Sequence, residues 1–371
     1  MPERGPVGFG RRDEPGVAAG ADSGSTFPAG ATRLDDDSIA GLIPERPARG
    51  HKGSFGRLLV IAGSLDYAGA ALLVCRSAGR SGVGLVTLAI PESLQPLFAA
   101  KVVEATTMAL PEDDVEEVDP ELAMARILDH EHDAIVVGPG LRPGLATTEL
   151  VRSLLQVSGE ADSAPIVLDA EALRSMATMD GWWEGERRPA VLTPHAGEFA
   201  RLRAGSGDTP PDGGDLEDDD AARLAAASDA AAIWGSVVVL KGARTIIVAP
   251  DGAAAIAPFE NPALATGGTG DVLAGAIGAL LAQGLEPFAA ACLGVYLHGL
   301  AGDAGRDRFG DAGMLASDLP DGIPLARKRL VALAERKRAT KRLGFAARET
   351  VPTDGAAAPV DPSSPPPGDL S

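Results

Sequence analysis

Lysine is scarce in this chain: only six of the 33 basic residues are Lys and the other 27 are Arg, set against 52 acidic residues. The formal charge of −19 repels polyphosphate and anionic lipid, so neither nucleic acid nor a membrane surface is expected as a partner. Cysteine is nearly absent. Cys75 and Cys292 lie far apart in apolar helical patterns, which predicts buried free thiols and leaves no disulfide framework. No unbroken apolar run is long enough for a bilayer: residues 272–301 are interrupted by Gln283, Glu286 and Pro287 and read as two buried helices joined by a turn. At the N-terminus Arg11, Arg12, Asp13 and Glu14 break any signal-peptide core, so a cytoplasmic location is expected.

What is present is a globular composition, 45% hydrophobic over 371 residues, enough for one large α/β domain or two small ones. Residues 1–32 are rich in Gly, Ala, Pro, Asp and Ser without periodicity, which predicts a disordered segment. A short helix is expected over 36–42. Residues 57–62 read as a buried strand, 68–78 as a helix and 84–90 as a second strand, together a βαβ unit. The dinucleotide fingerprint Gly-x-Gly-x-x-Gly is missing after that first strand, which argues against a dehydrogenase. Alternation continues with a strand at 105–110, an acidic linker at 111–120, a helix at 121–129 and a strand at 134–137. Further strands are expected at 165–169, 190–192, 236–240 and 246–249, with helices at 171–176, from 199 and at 221–233. Residues 205–220 form an acidic insertion without calcium-loop spacing. Residues 327–348 read as a basic helical segment and 351–371 as a Pro-rich tail.

Several candidate positions fall at strand ends, where open α/β sheets hold ligands. Gly138, Pro139 and Gly140 close one strand, either as a bare backbone platform or as a sharp turn. Asp169 closes another and either orients a substrate or caps a helix. His195, held between Pro194 and Gly197, is the histidine singled out for substrate contact. Lys241, Gly242, Ala243, Arg244 and Thr245 follow a Val-rich strand as a phosphate-contacting hairpin, unless Lys241 is one solvated charge. His130 and His132 stand among acidic residues without a third ligand in a metal spacing, and no role is assigned to them.

The densest signal is the stretch 261–275, NPALATGGTGDVLAG. Gly267, Gly268, Thr269 and Gly270 precede Asp271 and an apolar run of small residues that reads as a helix. Such a loop turns successive N–H groups toward one point, and the helix N-terminus adds positive potential, so an anion can sit there without a cationic side chain. Two readings stand. In one, Asp271 takes a proton from a hydroxyl about to be phosphorylated; in the other, it caps an ordinary helix.

Six motifs in this order, HKGSFGRLLVIAGS with YAGAALL (51–73), VVGPGL (136–141), LTPHAGEFARL (192–202), VVLKGART (238–245), ATGGTGDVLAGAIGALLAQG (265–284) and GVYLHGLAGD (294–303), resemble the ADP-dependent NAD(P)H-hydrate dehydratase family of the ribokinase-like superfamily. The resemblance covers roughly residues 35–326. It implies a three-layer α/β/α sandwich around a mostly parallel sheet, with a dehydratase domain over 33–326. The implied reaction dehydrates (6S)-NADHX or NADPHX back to NADH or NADPH, with ADP giving AMP and phosphate. Substrate contacts would fall on Ala70, Gly140, His195 and Asp271, and nucleotide contacts on Lys241 to Thr245 and Gly270. Asp271 would be the catalytic base and the amides of 267–270 would hold the phosphoryl group. Magnesium would ride on the nucleotide phosphates and water rather than in a protein cage.

The resemblance also implies a homo-oligomer, a tetramer, and an epimerase supplied by a separate protein, because the fifty residues before the first motif are too few to hold that domain. One departure is HAGE where the family commonly shows HPGE. Two other classes compete: a ribokinase-like kinase that stops at a stable phosphate ester of a thiazole or pyrimidine alcohol, and a nucleotide-binding regulator without catalysis.

Overall fold

Short aliphatic runs closed by Gly, Asp or Pro make the strands, and the longer runs with apolar residues three and four apart make the helices between them. The computed structural model describes residues 27–115, 117–156, 164–206 and 219–349, with side chains to 336. Most of the segment expected to be disordered, residues 207–218 of the acidic insertion, and the C-terminal tail lie outside the described residues.

The chain enters through β1 (Thr32–Arg33) and α1 (Asp36–Ala40), the latter capped by the Asp35 carboxylate. It then forms β2 (Arg57–Ile61), α2 (Ala68–Arg80) and β3 (Leu85–Pro91). A short α3 (Gln95–Ala99) leads to β4 (Thr106–Leu110) and to a hairpin of β5 (Glu112–Asp114) and β6 (Glu117–Val118). Next come α4 (Pro120–Leu128), β7 (Ala134–Val137), α5 (Leu145–Gln156), β8 (Ile166–Leu168) and α6 (Glu171–Met176). These are followed by β9 (Ala190–Leu192), α7 (Ala196–Gly205), α8 (Asp220–Trp234) and β10 (Val237–Leu240). The meander β11 (Ile246–Val248) and β12 (Ala254–Ile256) precedes α9 (Thr269–Ala282), α10 (Pro287–Phe309) and α11 (Leu319–Glu349).

Ten strands form one sheet in the order β1-β12-β11-β10-β9-β8-β7-β2-β3-β4. Only β11 runs against its neighbours; the other pairs are parallel. Because side chains alternate across a strand, Leu58 and Val60 enter a core with α1, α2, α9, α10 and α11, while Leu59 and Ile61 enter a second core with α4 to α8. Both faces are covered, which is why the strands read as unbroken hydrophobic runs. The result is the ribokinase-like α/β/α sandwich with a mostly parallel sheet.

From β2 the chain moves outward to β3 and β4, then returns to β7 on the other side of β2. That reversal makes the carboxyl ends of β2 and β7 the switch point of the sheet, the place where such folds form a binding crevice. Backbone bonds close its floor: Gly63 N–H donates to Pro139 O (2.9 Å) and Gly138 N–H donates to Ile61 O (3.2 Å).

Three local outcomes differ from the expected pattern. The acidic stretch 111–120, expected as a linker, contains the β5–β6 hairpin, anchored where the Ser93 N–H and hydroxyl donate to the Glu112 carboxylate (2.9 and 2.8 Å). Helix α5 is not among the expected elements although Leu150, Val151, Leu154 and Leu155 stand at helical spacing on its buried face; strands β1 and β12 are two and three residues long, too short to show a period. The basic helix begins at Leu319 rather than 327 and carries Pro324 within it. Leu319, Ile323, Ala326 and Leu330 seat it in the core at the four- and three-residue spacing of one helix face, so the expected boundary at 326 falls inside one continuous helix. No helix of the described residues is long and apolar enough to cross a membrane.

Candidate active site

The glycine-rich loop and the first turn of α9 occupy the sheet's ligand-binding edge. Asn261 holds the approach: its side-chain carbonyl accepts from Ala263 N–H (3.0 Å) and its amide donates to Asp303 of α10 (3.1 Å). The Thr269 hydroxyl shares its proton between Leu264 O (2.8 Å) and Thr266 O (2.9 Å), which ties the loop together. Gly268 is the N-cap of α9 with φ +94°. A Cβ there would lie 2.7 Å from Leu73 Cδ1 and 3.1 Å from Ala316 Cβ. Gly268→Ala is therefore expected to lower stability by about 1–3 kcal/mol through overpacking and left-handed strain, read from urea unfolding; an unchanged midpoint would show that the loop yields freely.

Since Gly268 is the cap, Asp271 is not; it lies one position past Gly270 in the first turn, whose N–H groups lack intrahelical acceptors. Burial first, and then the charge of Asp169, push the Asp271 carboxyl up to about 7, against the opposing pull of Lys241. Asp169 is likewise not a helix cap, because α6 is capped at Ala170 without a side-chain bond. Its buried carboxylate accepts from the Thr193 hydroxyl and from Lys241 Nζ, both at 2.8 Å. Glu198 Oε2 lies 3.8 Å from the same ammonium. Burial pulls the Lys241 ammonium down, and Asp169, Glu198 and Asp271 outweigh it, so it is held above its ordinary value. Lys241 is thus a paired, mostly buried cation and not a solvated one. Next to Asp169, Ala170 adopts φ 50° and ψ −115°, backbone strain of the kind that persists where surrounding structure over-determines a site.

A cavity of about 680 Å³ opens beside the loop. Lys241, Gly242, Ala243, Thr245, Gly270 and His195 line it, bringing together the expected nucleotide residues with one expected substrate residue. Arg244 is turned away: its guanidinium lies 3.1 Å from Asp220, pairs with Glu260 and stacks on Phe27 at 4.8 Å. Ala70 and Gly140 meet at the β2/β7 crevice, where a Cβ on Gly140 would come 2.9 Å from Ala70 Cβ. One helical turn after Ala70, Leu73 touches Gly268, while on the other flank Lys241 Nζ lies 3.4 Å from a Cβ built on Gly270. The loop 267–270 and Asp271 therefore stand between the cavity and the carboxyl ends of β2 and β7.

His195 has a second task. It caps α7, its Nδ1 accepting from Gly197 N–H (3.0 Å) and Glu198 N–H (3.4 Å). Ala196 is the first residue of α7, a position where Pro is favoured but not required, so the HAGE departure leaves the turn intact. His298 escaped sequence reasoning because it looks like one polar residue inside an apolar helix. It lines the cavity, and its Nε2 bonds the Thr269 carbonyl at 3.0 Å. A carbonyl only accepts, so that nitrogen carries the proton; burial pushes the imidazole down to about 4 and keeps it neutral. His130 and His132 lie at the start of β7, the opposite edge of the sheet, where His132 Nδ1 bonds His130 O at 2.7 Å.

Residues 58–325 match the sequence family described as NAD(P)H-hydrate dehydratase. The ADP-dependent (S)-NAD(P)H-hydrate dehydratase of Bacillus subtilis is 35% identical over 296 residues, 79% of this chain and 97% of that one. The bifunctional NAD(P)H-hydrate repair enzyme Nnr of Moorella thermoacetica is 41% identical over 290 residues, 78% of this chain and 52% of that protein; the chain spans about half the length of such bifunctional relatives. The crystal structure of the B. subtilis ADP/ATP-dependent NAD(P)H-hydrate dehydratase, co-crystallised with ATP and Mg2+, superposes with a TM-score of 0.67 at 33% identity, covering 81% of this chain and 99% of that one. With a family match over most of its packed core and a relative aligned along nearly its whole length, the chain belongs to the NAD(P)H-hydrate dehydratase family.

Proposed function

We propose that the chain dehydrates (6S)-NADHX and NADPHX to NADH and NADPH, using ADP and releasing AMP and phosphate. The observation that carries this reading is the position of Asp271, a carboxyl with a raised pKa set directly beside an anion-binding loop and a paired lysine. Hydroxide is a poor leaving group, so the C6 hydroxyl is phosphorylated first. Asp271 takes its proton as the oxygen attacks the β-phosphorus of ADP, and the bond to the AMP oxygen breaks. The amides of Gly267, Gly268 and Gly270 and the N-terminal end of α9 hold the transferring group's charge, while Thr269 N–H is taken by Thr266 O at 3.3 Å. The ring nitrogen's lone pair then expels phosphate from C6, and loss of a C5 proton restores the double bond.

In this reading Lys241, Gly242, Ala243, Thr245 and Gly270 hold the nucleotide, with Arg244 contributing its backbone. Ala70, Gly140 and His195 hold the hydrated nicotinamide. In this reading magnesium is an ion carried by the nucleotide phosphates and water. Asp271 is the carboxylate that would face it through water. When bound, it would neutralise phosphate charge. The same reading carries a cytoplasmic homo-oligomer and an epimerase acting on the same substrate.

The test is absorbance at 340 nm when the purified protein, magnesium and ADP or ATP are added to acid-prepared NADHX. A rise that requires ADP and releases AMP supports the reading; a stable phosphate ester in place of reduced cofactor would assign a small-molecule kinase. The pH dependence follows from the base. Asp271 acts ionised, so kcat/KM is expected to fall about tenfold per pH unit below about 7. The groups facing it are Asp169 and Lys241, with neutral His298 behind Thr269. A flat profile from pH 5.5 to 8 would assign proton removal to another group.

A further inference from the structure

Helix α8 carries a buried cation that the proposed reaction does not use. Arg223 is 2% exposed. Its Nη1 donates to the Asp220 carboxylate at 2.9 Å and to Arg244 O at 2.8 Å, and its Nη2 donates to Leu240 O at 3.2 Å. Leu240 and Arg244 bracket residues 241–243, so one planar guanidinium holds both ends of the nucleotide loop at once. It also lies under the middle of that loop: a Cβ on Gly242 would come 2.3 Å from Nη2 and 2.8 Å from Cζ. The second Asp220 oxygen takes Arg244 Nη1 at 3.1 Å, which extends the clamp to the loop's outer side chain.

We infer that Arg223 is a positioning residue that sets the backbone of loop 241–245, and through it the affinity for the adenine nucleotide, without touching the ligand. The inference rests on the nucleotide-binding role proposed for that loop. Burying a guanidinium is unfavourable unless each donor is met, and a rigid fork answers two carbonyls and a carboxylate where a flexible ammonium cannot. A loop fixed before binding loses less freedom when the nucleotide arrives, and that difference appears as affinity. Turnover should change little, because Asp271 lies on α9, the glycine-rich loop before it is anchored by Asn261, Thr269 and His298, and the Lys241 ammonium is held by Asp169 and Glu198 rather than by Arg223.

The experiment compares the full-length protein with Arg223→Lys and Gly242→Ala, by calorimetric ADP binding, steady-state kinetics and thermal unfolding. In Arg223→Lys the ADP Kd and KM are expected to rise about tenfold or more, the loss of charge-assisted bonds, with kcat at saturating ADP and the NADHX KM within about twofold. Gly242→Ala pushes on the same contact from the loop side, and because Gly242 also lines the cavity its own loss of ADP affinity counts only through its coupling to Arg223→Lys. The double variant should lose less than the sum, because both changes disturb one contact. If Arg223→Lys does not fold, Asp220→Asn decides in its place, because it loosens the same guanidinium from a position that does not line the cavity. A folded variant with wild-type ADP affinity overturns the inference, as does an equal loss in kcat and both KM values, which would mark a purely structural strut. Wild-type protein that binds no adenine nucleotide overturns the dehydratase reading and this inference with it; wild-type protein that binds ADP while both variants bind equally well overturns only the inference.

Discussion

Asp271→Asn is expected to lower kcat by about 10²- to 10⁴-fold, the range for removing a positioned general base, while ADP still binds. The geometry behind this is the single carboxylate in the first turn of α9, flanked by the anion loop and by Lys241. Asn preserves shape and takes no proton, so the loss should fall on kcat rather than on either KM, measured as the initial slope at 340 nm. A residual rate within tenfold of wild type would leave the base unassigned. The same substitution reports on stability with a definite sign. The folded carboxyl is raised from 3.8 to about 7, so the wild-type protein is favoured by protonation below the lower value and loses that contribution as pH rises through the higher one. Asn carries no such penalty. The variant should therefore gain in melting temperature over wild type progressively between pH 4 and 7 and hold the gain above it.

Lys241→Met is expected to cost about 3–5 kcal/mol of folding free energy, the range for breaking a buried pair and leaving one charge behind. The stranded group is Asp169, 2% exposed and left with the Thr193 hydroxyl as its hydrogen-bond donor. Lys241 also opposes the upward push on Asp271, so any remaining activity should show its acid limb at higher pH. Adding Asp169→Asn removes the stranded charge and should recover most of the stability but not the ADP affinity. Urea unfolding of the two variants checks this. A loss below about 1 kcal/mol for Lys241→Met would place the pair in a solvent-like setting worth no more than a surface ion pair.

Local pattern made much of the molecule legible. Strand β2, helix α2 and strand β3 stand within a few residues of expectation because a buried parallel strand needs an unbroken aliphatic run and a crossover helix needs its apolar spacing. The glycine-rich loop was legible as a helix start because φ +94° at Gly268 demands glycine and because such loops open helices. Weakly patterned elements were not: β1 is two residues long and exists only as a partner for β12. Helix α11 was read by its basic residues, while its four core contacts are spread over twelve positions.

The sequence by itself determined the alternation of strands and helices, the glycine-rich loop with its following carboxylate, and the motif order that marks the family. Tertiary structure alone decided what each charge faces. Asp169 and Lys241 are 72 residues apart and meet because β8, β9 and β10 lie side by side, so either looked equally like a cap or a solvated residue. Arg244 sits in the loop expected to grip phosphate, yet its buried side chain is taken up by Asp220 and Glu260, and the buried Arg223 supports the loop from below. Periodicity encodes which face of an element is buried; it carries no information about which distant strand end will stand beside it. The roles of these charges follow from that non-local neighbourhood, through burial and pairing.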